Sequence, residues 1–203
     1  MRLYDYPLSG NGYKVRLLLS HLGRSYEYVP VDILAGEART ESFLQKNPLG
    51  KVPVLELDDG RVLPESNAIL FWLARDTPYW PERPFDQAHA MQWLFFEQRS
   101  HMPNVGGARY WLTIQKSQLT PSDREQVRQK QKKGRVALGV MEQRLARNPF
   151  LVGEIYSIAD VALYAYTHLA HEGGIELSPF GAIREWIKRV QAQPGYVSID
   201  AQP

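Results

Sequence analysis

Three prolines within eight residues, Thr77-Pro78-Tyr79-Trp80-Pro81-Glu82-Arg83-Pro84, divide the chain into two stretches of different character. Proline lacks the backbone N–H that a helix interior or a central strand needs, so neither can cross this segment. Before it, strand and helix patterns alternate. After it, only helix patterns occur. The segment reads as a linker between domains of about 77 and 119 residues, residues 1–77 and 85–203, each long enough to bury a core.

In the first part, Arg2–Asp5 predicts a short strand, and Ser9-Gly10-Asn11-Gly12 predicts a turn. Val15, Leu18, Leu19 and Leu22 follow at helical spacing, and Gly23 closes that helix. Tyr26–Val31 predicts a second strand. A short helix is expected near Thr40–Gln45. Val54–Leu57 and Arg61–Leu63 are joined by Asp58-Asp59-Gly60, a hairpin signal. Ala68, Ile69, Trp72 and Leu73 then mark a helix face, with Ser66 as its expected N-cap. The order β-α-β-α-β-β-α predicts a small α/β sandwich.

In the second part, Met91, Leu94 and Phe95 share a helix face, and Pro103 with Gly106-Gly107 is expected to interrupt it. A long polar helix is expected over 121–147. Ser157-Ile158-Ala159-Asp160 has the spacing of a capping box, flanked by Tyr156 and Val161 as a hydrophobic staple. A last helix is expected near 183–193. The basic run from Gln126 to Arg135 predicts a solvated helix face, since 24 Lys+Arg against 22 Asp+Glu leaves little excess charge for nucleic-acid binding.

The chain contains no cysteine. Disulfides, thiolate zinc sites and a cysteine nucleophile are therefore excluded, and any thiol chemistry must use a thiol carried by a ligand. His21, His89, His168 and His171 show no ligand spacing with carboxylates, so no metal is expected. No apolar run approaches the ~18 residues of a membrane span, and the first residues do not resemble a signal peptide. A cytoplasmic location with no membrane partner is expected.

Three loops in the first part offer chemistry. Ser9-Gly10-Asn11-Gly12-Tyr13-Lys14 sets hydroxyl and amide groups at a helix N-terminus, where free N–H groups favour an anion. Ser9 or Asn11 serving simply as the helix cap accounts for the same residues. Asn47-Pro48-Leu49-Gly50-Lys51-Val52-Pro53 is a stiff strand entry, with a Val-Pro bond that is cis in some folds. Glu65-Ser66 opens the next helix and places an acceptor for an amine beside a donor for a carboxylate. Together they suggest a small zwitterionic peptide as ligand.

These motifs, in this order and with the capping box, resemble those of the cytosolic glutathione S-transferases, of the serine-type bacterial kind near the theta and beta groups. The resemblance covers essentially the whole chain. It implies an α/β thioredoxin-like N-terminal domain followed by an all-α C-terminal domain, with glutathione as co-substrate. Pro53 would be a cis-proline and Val52 would pair its backbone with the cysteinyl part of glutathione. Glu65 would take the γ-glutamyl ammonium and Ser66 its carboxylate. Lys51 and Arg39 would meet the glycyl carboxylate. Ser9 would donate to the sulfur, with Asn11 and then Tyr6 as alternatives.

The implied reaction is conjugation of the glutathione thiolate to small hydrophobic electrophiles by a homodimer engaged in detoxification. The helical domain would supply the electrophile pocket, around His101, Met102, Tyr110 and Trp111, although core packing explains most of these residues equally well. A non-catalytic glutathione-binding or regulatory protein, or a glutathione-dependent lyase, isomerase, dehalogenase or peroxidase, would share the scaffold.

Overall fold

The computed structural model describes residues 1–115 and 118–201. The chain forms two compact units, one of Met1–Asp76 with Gln193–Pro203 and one of Thr77–Ala192. The proline-rich segment therefore belongs to the helical unit, and the described tail residues 193–201, expected in the helical domain, cluster with the α/β unit.

The α/β unit runs β1 (Arg2–Asp5), α1 (Gly10–His21), β2 (Glu27–Pro30), a 3-10 turn (Glu37–Arg39), α2 (Glu41–Leu44), β3 (Val54–Glu56), β4 (Val62–Pro64) and α3 (Ser66–Ala74). The sheet order is β2-β1-β3-β4, with β1 parallel to β2 and the other neighbours antiparallel. The register matches Tyr4 to Val54 and Val54 to Pro64. The residues that follow β1, precede β3 and follow β4 consequently leave the sheet at one end. All three loops singled out in the sequence adjoin the sheet at that end.

α1 is buried almost all round, with Tyr13, Val15, Leu17, Leu18 and Leu19 fully inaccessible. A helix buried on nearly every side needs cover beyond one sheet face. The C-terminal tail contributes to that cover. The Tyr13 hydroxyl donates to the Val197 carbonyl at 2.7 Å, and His21 Nδ1 lies 2.7 Å from the Pro194 carbonyl. On α3 the buried residues are Ser66, Ile69, Leu70, Leu73 and Ala74. Ala68 and Trp72, expected inside, lie on the exposed side.

Ser66 is the first residue of α3 and not its cap. The N-cap position is held by Glu65, at φ 72 and ψ 108, without a side-chain capping bond.

The helical unit comprises α4 (Pro84–Phe96), a π-helical continuation (Glu97–Gly106), α5 (Gly107–Arg109), a second π segment (Tyr110–Ile114), α6 (Pro121–Leu145), α7 (Ile158–Thr167) and α8 (Gly181–Gln191). A 3-10 turn, Ala170–Gly173, follows α7. Pro103 and Gly106-Gly107 do not break the helix, because wider π turns absorb the proline's missing N–H. Phe95, expected on the buried face, is exposed, whereas Trp93, Leu94 and Glu97 are buried.

The capping box of α7 is formed. The Ser157 N–H donates to Asp160 at 3.0 Å. Asp160 also accepts from the Leu151 N–H at 3.0 Å and from the Trp186 indole at 2.9 Å. One fully buried carboxylate thus ties a loop, a helix start and α8 together. The linker joins this knot, since the Ile158 N–H donates to the Tyr79 carbonyl at 3.0 Å.

Candidate functional site

Ser9 is the N-cap of α1. Its Oγ accepts from the Gly12 N–H at 3.1 Å, and its own N–H donates to the Tyr6 carbonyl at 2.8 Å. The cap uses one lone pair of the half-buried oxygen and leaves the hydroxyl proton to donate outward. Capping and donation to an anion are therefore compatible in one residue.

Asn11 lies in the first turn of α1, and its carboxamide oxygen accepts from the Ser66 hydroxyl at 3.4 Å. The Ser66 oxygen accepts in turn from Lys14 Nζ at 3.3 Å. Ser66 is 3% exposed and Lys14 is fully buried. The starts of α1 and α3 are thereby joined by a chain of polar contacts, with an ammonium behind the serine. Two helix N-termini and a buried cation together raise the local potential and favour an anionic group near Ser66.

Glu65 stands beside this cluster with an exposed side chain. A positive φ at a non-glycine residue costs on the order of 1–3 kcal/mol. It turns the chain so that Ser66 enters the helix buried while the Glu65 carboxylate stays in solvent. Among the described residues no cation pairs with that carboxylate.

The Val52–Pro53 bond is cis, as expected from the resemblance. Val54 is the first residue of the ladder, so the Val52 N–H and C=O lie outside the sheet. Asn47 builds the approach to this bond. Its side-chain Nδ2 donates to the Lys51 carbonyl at 2.7 Å and its Oδ1 accepts from the Leu49 N–H at 3.1 Å. Gly50 needs its φ of 59, and a β-carbon there would meet the Ala38 carbonyl and the Arg39 guanidinium. Arg39 Nη1 donates to the Leu49 carbonyl at 3.1 Å, so Arg39 and Lys51, both exposed, border one turn.

The structure thus joins Asn11 to Ser66 and Arg39 to the turn that carries Lys51, and brings the loops of Ser9, Val52 and Glu65 to one end of the sheet. In the helical unit, His101 is fully buried with Nε2 2.9 Å from Thr167 Oγ1, as core packing predicts. Met102 and Trp111 are half-buried and Tyr110 is exposed.

No sequence pattern gives Asp5, Lys14, Arg16 or Asn47 a role of its own. Lys14 and Arg16 sit at helix positions where solvated charge is the usual outcome, and nothing local marks them as buried. Asp5 is fully buried, which pushes its carboxyl up to about 7 although Arg16 nearby favours the charged form.

Two family models cover most of the chain. The glutathione S-transferase N-terminal domain matches residues 1–75, and the glutathione S-transferase C-terminal domain matches residues 86–194. Among solved structures, the chain is similar to a glutathione S-transferase from Pseudomonas fluorescens Pf-5. The two are 49% identical with a TM-score of 0.94, and the match covers 98% of each chain. It is also similar to Ure2p in complex with glutathione, at 28% identity and a TM-score of 0.83, covering 96% of this chain and 90% of the other. A curated relative, the disulfide-bond oxidoreductase YfcG of Escherichia coli K12, is 28% identical over 200 residues, 95% of this chain and 90% of its own length. The chain belongs to the glutathione S-transferase family, with the thioredoxin-like and all-α domains of that fold.

Proposed function

We propose that the protein binds glutathione at the end of the sheet where the β1, β3 and β4 loops meet, and conjugates its thiolate to small hydrophobic electrophiles. The observation that carries this reading is the Lys14–Ser66–Asn11 chain beside Glu65, an anion site and an ammonium acceptor on adjacent residues. A γ-glutamyl end presents those two groups on one carbon. A relative of this fold holds glutathione, which supports the assignment.

In this reading Ser66 receives the γ-glutamyl carboxylate and Glu65 the ammonium. The Val52 N–H and C=O pair with the cysteinyl backbone, and Pro53 fixes their direction. Lys51 and Arg39 meet the glycyl carboxylate. Ser9 donates to the sulfur, with Asn11 the next choice and Tyr6 the third. A free thiol ionises near pH ~8.5. A hydroxyl donor at a helix N-terminus lowers that value, and a fall of about 1.5 units makes the thiolate the main form at neutral pH. The thiolate attacks the electrophilic carbon, forming the C–S bond as the leaving group departs. The helical unit supplies the electrophile pocket.

The protein acts in the cytoplasm as a homodimer, in detoxification. Exposed Leu49 in the α/β unit and exposed Phe85 and Phe95 on α4 support association. Light scattering tests this, and a monomer at micromolar concentration would remove it.

The deciding experiment is binding to immobilised glutathione together with turnover of a chloro-nitroaromatic. Retention and turnover are expected, and failure to bind would sink the proposal. A second reading, reduction of peroxides or disulfides by bound glutathione, is favoured by the oxidoreductase relative. Without a cysteine, this chain must leave both sulfurs of any mixed disulfide on its substrates.

A further inference from the structure

Arg16 lies two turns into α1, on the side of the helix that faces the Tyr6–Ser9 loop. It is 4% exposed and bonds in three directions. Nη2 donates to the Pro7 carbonyl at 2.6 Å, and Nη1 donates to the Ile199 carbonyl at 3.1 Å. Nε sits 3.2 Å from Asp5 Oδ2, within ion-pair range though not aligned as a hydrogen bond. The Tyr13 ring stacks at 5.6 Å from the guanidinium carbon. One planar group therefore joins the last residue of β1, the residue two before Ser9, and the C-terminal tail.

The loop between β1 and α1 is short, and its conformation sets where the Ser9 hydroxyl stands. The Ser9 N–H to Tyr6 carbonyl bond holds one side of this loop, and Pro7, which has a fixed φ and no N–H to donate, is held through its carbonyl by Arg16. A guanidinium presents its donors in a rigid fork, and bonds from a cation to a carbonyl are short and strong when water is excluded. A lysine keeps the charge but lacks the fork.

We propose that Arg16 is a positioning residue for catalysis: it fixes the Pro7 carbonyl and so the placement of the Ser9 hydroxyl that stabilises the glutathione thiolate. The proposal rests on the reading of Ser9 as the sulfur donor. It adds that the C-terminal tail, through Ile199, is part of the same support, although it lies far from Ser9 in sequence.

The test uses the full chain with Ser9→Ala, Arg16→Lys and the double variant. The readout is the ultraviolet absorbance of the bound glutathione thiolate titrated against pH, with thermal unfolding of each variant alongside. Ser9→Ala raises the apparent thiol pKa. Arg16→Lys, with Ser9 intact, also raises it, by about half a unit or more. The double variant shows no more than the Ser9→Ala shift, because the two act through one bond.

No shift in folded Arg16→Lys, or shifts that add in full, would overturn the role of Arg16 and leave Ser9 as donor. No shift in Ser9→Ala removes both. Should Arg16→Lys not fold, a chain ending at Ser198 removes the Ile199 carbonyl and leaves Arg16 in place. A smaller upward shift, absent on the Ser9→Ala background, is then expected, and an unshifted titration would refute the proposal.

Discussion

The hydroxyl of Ser66, first in α3, donates to the carboxamide oxygen of Asn11 in the first turn of α1 at 3.4 Å. This contact couples the residue proposed to hold the γ-glutamyl carboxylate to the helix that begins at Ser9. Ser66→Ala also removes the hydroxyl that accepts from Lys14 Nζ at 3.3 Å. The expected result is at least a tenfold weaker affinity for glutathione, equivalent to about 1.4 kcal/mol. Titration calorimetry measures it.

Ser9→Ala removes the α1 cap and the proposed thiolate donor together. The cap alone is worth about 1 kcal/mol of stability. Turnover is expected to fall by about 10²-fold, the range seen when one donor to a developing anion is lost. Unchanged turnover with lowered stability would assign Ser9 to capping only, and Asn11→Ala would then be the variant that abolishes activity.

Gly12→Ala and Gly139→Ala are expected to act in opposite directions. A β-carbon at Gly12 would fall on the buried Asp5 carboxylate, whereas at Gly139 in α6 it meets nothing. Gly12→Ala should destabilise by 1–3 kcal/mol or more, as roughly expected for overpacking. Gly139→Ala should stabilise by about 0.5–1 kcal/mol, because it restricts the unfolded chain and favours helix. Denaturant midpoints of the two variants give the comparison.

Asp160→Ala strips the acceptor from the Leu151, Ser157 and Trp186 donors at once. Each unsatisfied buried donor costs about 1–3 kcal/mol, so a loss of at least about 3 kcal/mol is expected. Ser157→Ala removes only one half of the capping box and should cost about 1 kcal/mol. Thermal unfolding distinguishes the two.

Burial pushes Asp5 up to about 7 in the folded chain, from 3.8. The folded state then holds a proton that the unfolded state releases between those values. Linkage makes this contribution to stability fall as pH rises from about 4 to about 7. Asp5→Asn removes that slope. The difference in melting temperature between the variant and the parent is therefore expected to shift in the variant's favour as pH increases through this window.

The strand–helix order of the first 76 residues was legible because each element is short, apolar on one period and bounded by Gly, Pro or Asx turns. The capping box at Ser157–Asp160 was legible because its spacing is its mechanism. The faces of α3 and α4 were not. Trp72 and Phe95 fit an apolar stripe as well as their buried neighbours do, and periodicity cannot tell a core side chain from an exposed one. Ser66 was misplaced by one residue because Glu65 takes a positive φ that no local preference predicts.

By itself, the sequence determined the proline-rich divide between an α/β and a helical pattern, the absence of any protein thiol, and the three loops that carry the Ser9, Val52-Pro53 and Glu65-Ser66 groups. Tertiary structure alone decided which charges those loops rest on. Lys14 behind Ser66, Arg16 behind Pro7 and the tail at Ile199 come together through packing of residues distant along the chain. Burial and long-range contact are properties of the folded surface, and no local pattern in Lys14-Val15-Arg16 encodes them.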